Sequence, residues 1–158
     1  MIDDKLPQGP EECTCLALRQ AARHVTQFYD QHLASAGLRT TQFSILAKLA
    51  RSGSMTINDL AAQLVMDRTT LGRNVLPLQR DGLIDVAPGQ KDRRSKALRL
   101  TPDGRKRLLG ARDSWSRAQA CFAEIFGPER TAGLRASLHA VAATALPAYP
   151  PATPGRPV

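Results

Sequence analysis

Between Asp67 and Leu76 the sequence allows little besides a short helix with two unlike faces. Asp67 is a good N-cap, because its carboxylate can accept backbone N–H bonds from the first turn. Leu71, Val75 and Leu78 follow at i, i+4 and i+7 and make one apolar face. Arg68, Thr69, Gly72 and Arg73 fall on the other, which carries no carboxylate after the cap. Cations, hydroxyls and a glycine suit a DNA major groove, where Arg reads guanine edges and Thr meets phosphates or thymine methyls. An ordinary amphipathic helix with a solvated basic face fits the same stretch, so its neighbours must decide.

The neighbours favour a reader of DNA. Upstream, Thr56-Ile57-Asn58-Asp59 has capping-box spacing, with Asp in place of Glu. It opens a short helix with Ile57, Leu60, Ala61 and Leu64 facing inward, and Val65-Met66 forms the turn. Two helices joined by a tight turn, the second basic, make the helix-turn-helix pattern. Pro77 removes a bond to the carbonyl of Arg73 and is expected to kink or loosen the last turn; Asp81-Gly82 ends the helix. Downstream, Leu83–Ala87 reads as a strand, 88–96 as a polar loop with four cations, and Ala97–Thr101 as the returning strand. A basic-tipped hairpin in this place is a wing, with cations placed for phosphates or a minor groove.

The remaining segments are helical. From about Glu12, the residues Leu18, Ala22, Val25, Tyr29 and Leu33 keep nearly heptad spacing, widened by Ala21 and Phe28, as far as Ala36-Gly37. That stripe is broader than a lone surface helix needs, and a dimer interface is a use for it. Thr40 or Thr41 caps the next helix, with Phe43, Leu46, Leu49 and Ala50 inward and Ser52-Gly53 as its stop; Met55-Thr56 is a short extended piece. Thr101-Pro102-Asp103-Gly104 starts a long helix to Phe126, with Leu108, Leu109, Ala111, Trp115, Ala118, Cys121, Phe122 and Ile125 on its apolar side. A last helix runs from Pro128 to Ala145, with Leu134, Leu138, Val141, Ala142 and Leu146 inward. The fold class is therefore mainly α with a small β-hairpin wing. Residues 1–12 read as a flexible N-terminus, 13–37 and 103–146 as a helical dimerisation region, and 38–102 as a winged helix-turn-helix. Residues 147–158, with five of the 11 prolines, read as a disordered tail.

Charge narrows the partner. The chain holds 22 Lys plus Arg against 14 Asp plus Glu, a net of +8, and such a balance favours a polyanion. Residues 67–117 carry 13 of those cations and 6 of the acids, so nearly all the excess lies in one block that begins at the basic helix. Turns break this block, unlike one long amphipathic helix for a membrane surface. No apolar run reaches a transmembrane length, and the acidic N-terminus is unlike a signal peptide, so a cytoplasmic location is expected. Three cysteines, Cys13, Cys15 and Cys121, are too few for a secreted disulfide scaffold. The histidines His24, His32 and His139 show no metalloprotease spacing, and there is no phosphate loop or dinucleotide fingerprint. An enzyme is not expected, and no cofactor is implied. Cys13-x-Cys15 with His24 or His32 is a weak metal pattern, and no metal site is assigned.

Asp81-Gly82-Leu83-Ile84, Asp92-Arg93-Arg94-Ser95-Lys96 and Leu100-Thr101-Pro102-Asp103-Gly104 together resemble the signature of the MarR family of bacterial winged-helix transcription regulators. The order of elements agrees from about residue 14 to 146. The resemblance implies a homodimer on a pseudo-palindromic operator in double-stranded DNA. Arg68, Thr69, Thr70, Arg73 and Asn74 match the family's major-groove face. Arg94 would be the wing arginine in the minor groove, oriented by Asp92, with Arg93 a second candidate and Lys91 and Lys96 beside them. A hairpin-stabilising ion pair is the alternative use of Asp92 and Arg94.

The resemblance also implies a switch. Members of the family usually release DNA when a small molecule, often an aromatic acid, binds between the dimerisation region and the DNA-binding lobe. A repressor released in this way is the first reading. The second rests on Cys15, at the start of the first helix, with Tyr29 14 positions on, a spacing similar to that of the family's organic-hydroperoxide sensors. Cys121 stands near the resolving cysteine of the two-cysteine sensors, which implies an intersubunit Cys15–Cys121 disulfide. Arg19 and Thr40 depart from that pattern, standing where further tyrosines are looked for, and Cys13 is extra. A constitutive architectural DNA-binding protein is the reading from another class.

Overall fold

The computed structural model describes residues 9–88 and 96–146. Helix α1 spans Thr14–Leu33 and continues as a 3-10 turn, Ala34–Ala36, to Gly37. Next come α2 (Thr40–Ser52), β1 (Met55–Thr56), α3 (Ile57–Leu64) and α4 (Arg68–Arg80). Strands β2 (Ile84–Pro88) and β3 (Lys96–Leu100) lead into α5 (Pro102–Phe126) and α6 (Pro128–Ala143). The expected class, mainly helical with a small antiparallel wing, is the observed one.

Two compact units divide the chain, Met1–Cys121 and Phe122–Val158. In the first, Leu33, Ile45, Leu46, Leu49, Leu60, Leu71 and Leu78 are fully buried and build an aliphatic core, as a chain with 4% aromatic residues must. Phe43 and Trp115 stack at its margin, with ring centroids 5.7 Å apart. The three strands lie in the order β1-β3-β2, all antiparallel. Met55 of β1 pairs with Leu98 of β3, so the returning strand of the wing is the middle strand. In the second unit, Phe122 and Phe126 stack, and the Arg130 guanidinium lies 4.2 Å from the centre of the Phe126 ring.

Several local expectations change. Both wing strands sit one residue from their expected bounds: β2 gains Pro88 and β3 gains Lys96 because the antiparallel ladder continues to a Pro88–Lys96 pair. Proline is tolerated there since β2 is an edge strand. Lys96 is thus a strand residue rather than a loop residue. Pro10–Glu12 forms a 3-10 turn closed by the Cys13 N–H on the Pro10 carbonyl, and Cys13 then caps α1. Neither Thr40 nor Thr41 caps α2. Arg39 holds that position, its N–H donating to Gln42 Oε1 at 2.9 Å, while the Thr40 N–H and hydroxyl both donate to Asp30 of α1, each at 2.7 Å. Ile45, fully buried, joins the inward side of α2.

Pro77 does not loosen the last turn of α4. The helix runs on to Arg80, with the Asp81 N–H on the Pro77 carbonyl at 2.9 Å and the Leu83 N–H on the Leu78 carbonyl at 2.8 Å. Buried Val75 and Leu78 flank the proline and hold the turn against the core. The apolar faces of the outer helices also differ from expectation. Leu134, Leu138, Val141 and Leu146 are exposed, as are Leu109 and Ile125, and only Tyr29 and Leu33 of α1 are buried. One chain has no second surface with which to cover them. The expectations for 1–8, for the tail 147–158 and for the wing tip, with Lys91, Asp92, Arg93 and Arg94, lie outside the described residues.

Candidate nucleic-acid interface

The candidate site is the outer face of α4, and its geometry starts at the cap. Asp67 Oδ1 accepts the Thr70 N–H at 2.8 Å and Oδ2 accepts the Thr70 hydroxyl at 2.5 Å. These bonds, the hydroxyl first and the backbone second, hold the Asp67 carboxyl below its ordinary pKa. The negative charge is thus spent on the helix's own first turn. Arg68, Thr69 and Arg73 are exposed, and no ion pair or side-chain hydrogen bond among the described residues uses them.

The other two candidates are committed locally. Thr70 is the partner of the cap, and Asn74 Nδ2 donates to the Thr70 carbonyl at 2.8 Å, one turn back. Thr70 thus keeps its methyl group and an accepting hydroxyl oxygen, and Asn74 its amide oxygen and second N–H. Arg68, Thr69 and Arg73 keep their full donor capacity.

Helical geometry identifies residues that the sequence reading missed. Leu71, Val75 and Leu78 are buried, and at 100° per residue the direction opposite them passes through Thr69, Arg73, Leu76 and Arg80. Leu76 is 63% exposed in the middle of this line, and Arg80 extends it, 3.4 Å from the exposed carboxylate of Asp81. The same period in the sequence reaches both, through the turn that Pro77 was expected to loosen. Gly72 lies at the flank of this line, half-buried, next to Leu76 on the helix surface. A Cβ built there would meet nothing within 4 Å, so no packing among the described residues requires a glycine that costs the helix about 1 kcal/mol relative to alanine.

The wing is tied to α4 from behind. Thr101 caps α5 with its hydroxyl oxygen, which accepts the Gly104 N–H at 3.0 Å, while that hydroxyl donates to the Gly82 carbonyl at 2.7 Å. The Thr101 N–H donates to the Leu83 carbonyl at 3.1 Å. Gly104 permits this approach, since a Cβ there would lie 2.0 Å from the Leu83 oxygen. Across the strands, Arg99 pairs with Asp85 at 2.9 Å, which takes Arg99 out of the set of free cations. Lys96, exposed at the first position of β3, is the one wing candidate among the described residues.

A crevice of about 570 Å³ opens behind this lobe, between the end of α1, the α4–β2 turn and α5. Ser35, Asp81, Asp103, Lys106 and Arg107 line it, and Arg107 donates to the Ala36 carbonyl at 3.3 Å. Deeper on α5, buried Ser114 lies 3.3 Å from the Ser35 hydroxyl and accepts from Arg117 at 3.2 Å. The cysteines are all free; Cys13 and Cys15 are exposed and Cys121 is half-buried. The cap on α1 is the Cys13 sulfur, which accepts the Leu16 N–H at 3.4 Å. Cys15 is the second residue of that helix, and Tyr29, buried, lies 14 positions further on, about 21 Å along the axis. No group of three or more His, Cys, Asp or Glu among the described residues could hold a metal ion, and no helix there is long and apolar enough to cross a membrane.

Known proteins share this architecture. The model of the MarR family matches residues 38–96, from the start of the DNA-binding lobe to the wing. The transcriptional regulator MosR of M. tuberculosis, whose structure is of a complex with DNA, is 38% identical, with a TM-score of 0.72 over 83% of this chain and 94% of its own. The transcriptional activatory protein BadR of Rhodopseudomonas palustris is 32% identical over 91 residues, 56% of this chain and 52% of its own. The organic hydroperoxide resistance transcriptional regulator of Bacillus subtilis is 28% identical over 94 residues, 60% of this chain and 64% of its own. The chain thus spans between half and two-thirds of these last two. With a relative this similar over nearly its whole length and the signature residues at the base of the wing, the chain belongs to the MarR family of winged-helix transcriptional regulators.

Proposed function

We propose that the chain is a sequence-specific DNA-binding regulator that acts as a homodimer on a pseudo-palindromic operator. The observation that carries this is the outer face of α4: exposed Arg68, Thr69 and Arg73, unpaired among the described residues, with their only nearby carboxylate bound into the cap. This helix enters the major groove with its first turns foremost. Thr70 and Asn74 contribute to the same face, and the wing residues Lys91, Asp92, Arg93, Arg94 and Lys96 reach phosphates and the minor groove. The exposed apolar side chains of α6, Leu134, Leu138 and Val141, support a second copy as their cover. Residues 13–37 and 103–146 then act as the dimerisation region and 38–102 as the reader.

The regulator is a repressor released by a small aromatic acid. The crevice beside α5 supports this, since Lys106 and Arg107 can meet a carboxylate there while Asp81 and Asp103 select against a second one. A thiol switch is the second reading, favoured by the exposed Cys15 and by the likeness to the Bacillus subtilis regulator. In it, the Cys15 thiolate attacks an organic hydroperoxide, giving a sulfenic acid and, with one proton, the alcohol. The Cys121 thiol of the second copy then displaces water to form a disulfide. Tyr29 would reach that thiolate only from the other copy.

Gel-shift binding of the full chain to its own upstream DNA tests these readings together. Salt-sensitive binding to one site, several kcal/mol tighter than to random DNA, is expected. Arg73→Ala should lose most of that preference, and Arg94→Ala should weaken binding. Equal affinity for all sequences would make the protein architectural. Release by peroxide in wild type but not in Cys15→Ser selects the thiol switch; release by an aromatic acid, abolished in Lys106→Glu, selects the small effector.

A further inference from the structure

The outer line of α4 contains one residue that the usual vocabulary of cations and hydroxyls does not explain. Leu76 is 63% exposed between Arg73 and Arg80. A single exposed leucine is ordinary on a protein surface, but its neighbour is not. Gly72, one turn earlier, has open space where a Cβ would be, and no contact among the described residues accounts for it. Helical side chains lean toward the N-terminus, which puts the Leu76 side chain on the Gly72 side of its own Cα, with no atom of it within 4 Å of where a Gly72 Cβ would be. Thr69, three residues before Gly72, closes the other end. The missing side chain of Gly72 thus leaves a gap, a small notch, between Leu76 and Thr69, on a helix that also carries Arg68, Arg73 and Arg80.

We propose that this notch reads the 5-methyl group of a thymine in the major groove, with Leu76 as the specificity-determining residue. Three features support this occupant. The flanking arginines suit phosphates and guanine edges, so the partner at the notch is a nucleic acid. Of the four base pairs, only those with thymine put an apolar group on the major-groove edge. The missing side chain of Gly72 lets the helix backbone approach that edge closely. The inference rests on the reading of α4 as the DNA-contacting helix. It adds that the third turn, beyond the residues matched to the family's major-groove face, also selects sequence.

The test uses the full chain and the duplex it selects from a randomised pool. Each thymine of that duplex is replaced in turn by deoxyuridine, which removes only the methyl group. Wild type should lose affinity about four-fold at a particular thymine, the value expected for one buried methyl-sized group. Leu76→Ala, which alters both copies, should bind the thymine duplex about as weakly as wild type binds a duplex with that thymine replaced in both half-sites, and should show no further loss when it is replaced. Gly72→Ala should melt at a higher temperature than wild type yet bind the selected duplex less tightly, which a purely structural role would not produce. The proposal is overturned if wild type is indifferent to uracil at every position, or if Leu76→Ala keeps the full four-fold loss. A pool in which no sequence is enriched overturns both this inference and the DNA-reading role. Enrichment without methyl sensitivity overturns the inference alone.

Discussion

Val65 is the one residue other than glycine with a positive φ among the described residues, at φ 52° and ψ 45°. It makes the turn between α3 and α4, where its N–H reaches the Ala61 and Ala62 carbonyls, and its side chain is 75% exposed. A β-branched residue is poorly suited to this conformation, and the exposed isopropyl group gains little burial in return. Val65→Gly should therefore stabilise the fold by about 1 kcal/mol, read as a higher urea midpoint at unchanged slope. Asp67 sets a different condition on the same motif. Its folded pKa lies below the ordinary 3.8 because Thr70 bonds the charged form. A depressed folded pKa means that the cap's contribution is complete above the unfolded value and is lost as the pH falls through the folded one. The start of α4 should then hold down to about pH 4 and fray only in stronger acid. The Thr70 amide shift, followed by NMR through an acid titration, should move at that point in wild type and stay level in Asp67→Asn.

At the scale of elements, the contact between α5 and the α4–β2 turn is the most demanding. A methyl group at Gly104 would lie 2.0 Å from the Leu83 oxygen and 2.8 Å from Leu100, so Gly104→Ala must push α5 away from the wing. A loss of about 2–3 kcal/mol is expected, the range for overpacking a close contact, measured by denaturant unfolding. DNA affinity should fall with it, because the Thr101 bonds to Gly82 and Leu83 break together. Much of this arrangement was legible in the sequence. The Asp67 cap, the Leu71-Val75-Leu78 face, the hairpin and the Thr101-Pro102 start of α5 all follow from local chemistry that tertiary contacts only reinforce. What was not legible depended on partners far along the chain. The cap of α2 passed from Thr40 to Arg39 because Asp30, ten residues upstream, binds the threonine. The local penalty of Pro77 pointed to a loosened last turn, whereas buried Val75 and Leu78 hold that turn against the core. The candidate face therefore extends through Leu76 to Arg80.

At the scale of the whole molecule, the uncovered apolar side chains decide the assembly. Leu138→Glu on α6 should leave the winged lobe folded, since that residue is exposed in the single chain. In the dimeric reading it should shift the sedimentation coefficient to that of a monomer, and operator binding should weaken because two half-sites are no longer held by one particle. The order of the strands has a consequence for biosynthesis. Met55 pairs with Leu98, 43 residues later (98 − 55), and both helices of the helix-turn-helix, α3 and α4, lie between them in the sequence. The central strand of the sheet is thus the last to leave the ribosome. A nascent chain ending before Lys96 carries α3 and α4 but has nothing to pair with β1. The three-stranded sheet can be completed only after β3 has been made, so an interrupted translation product should bind DNA less tightly than the finished chain.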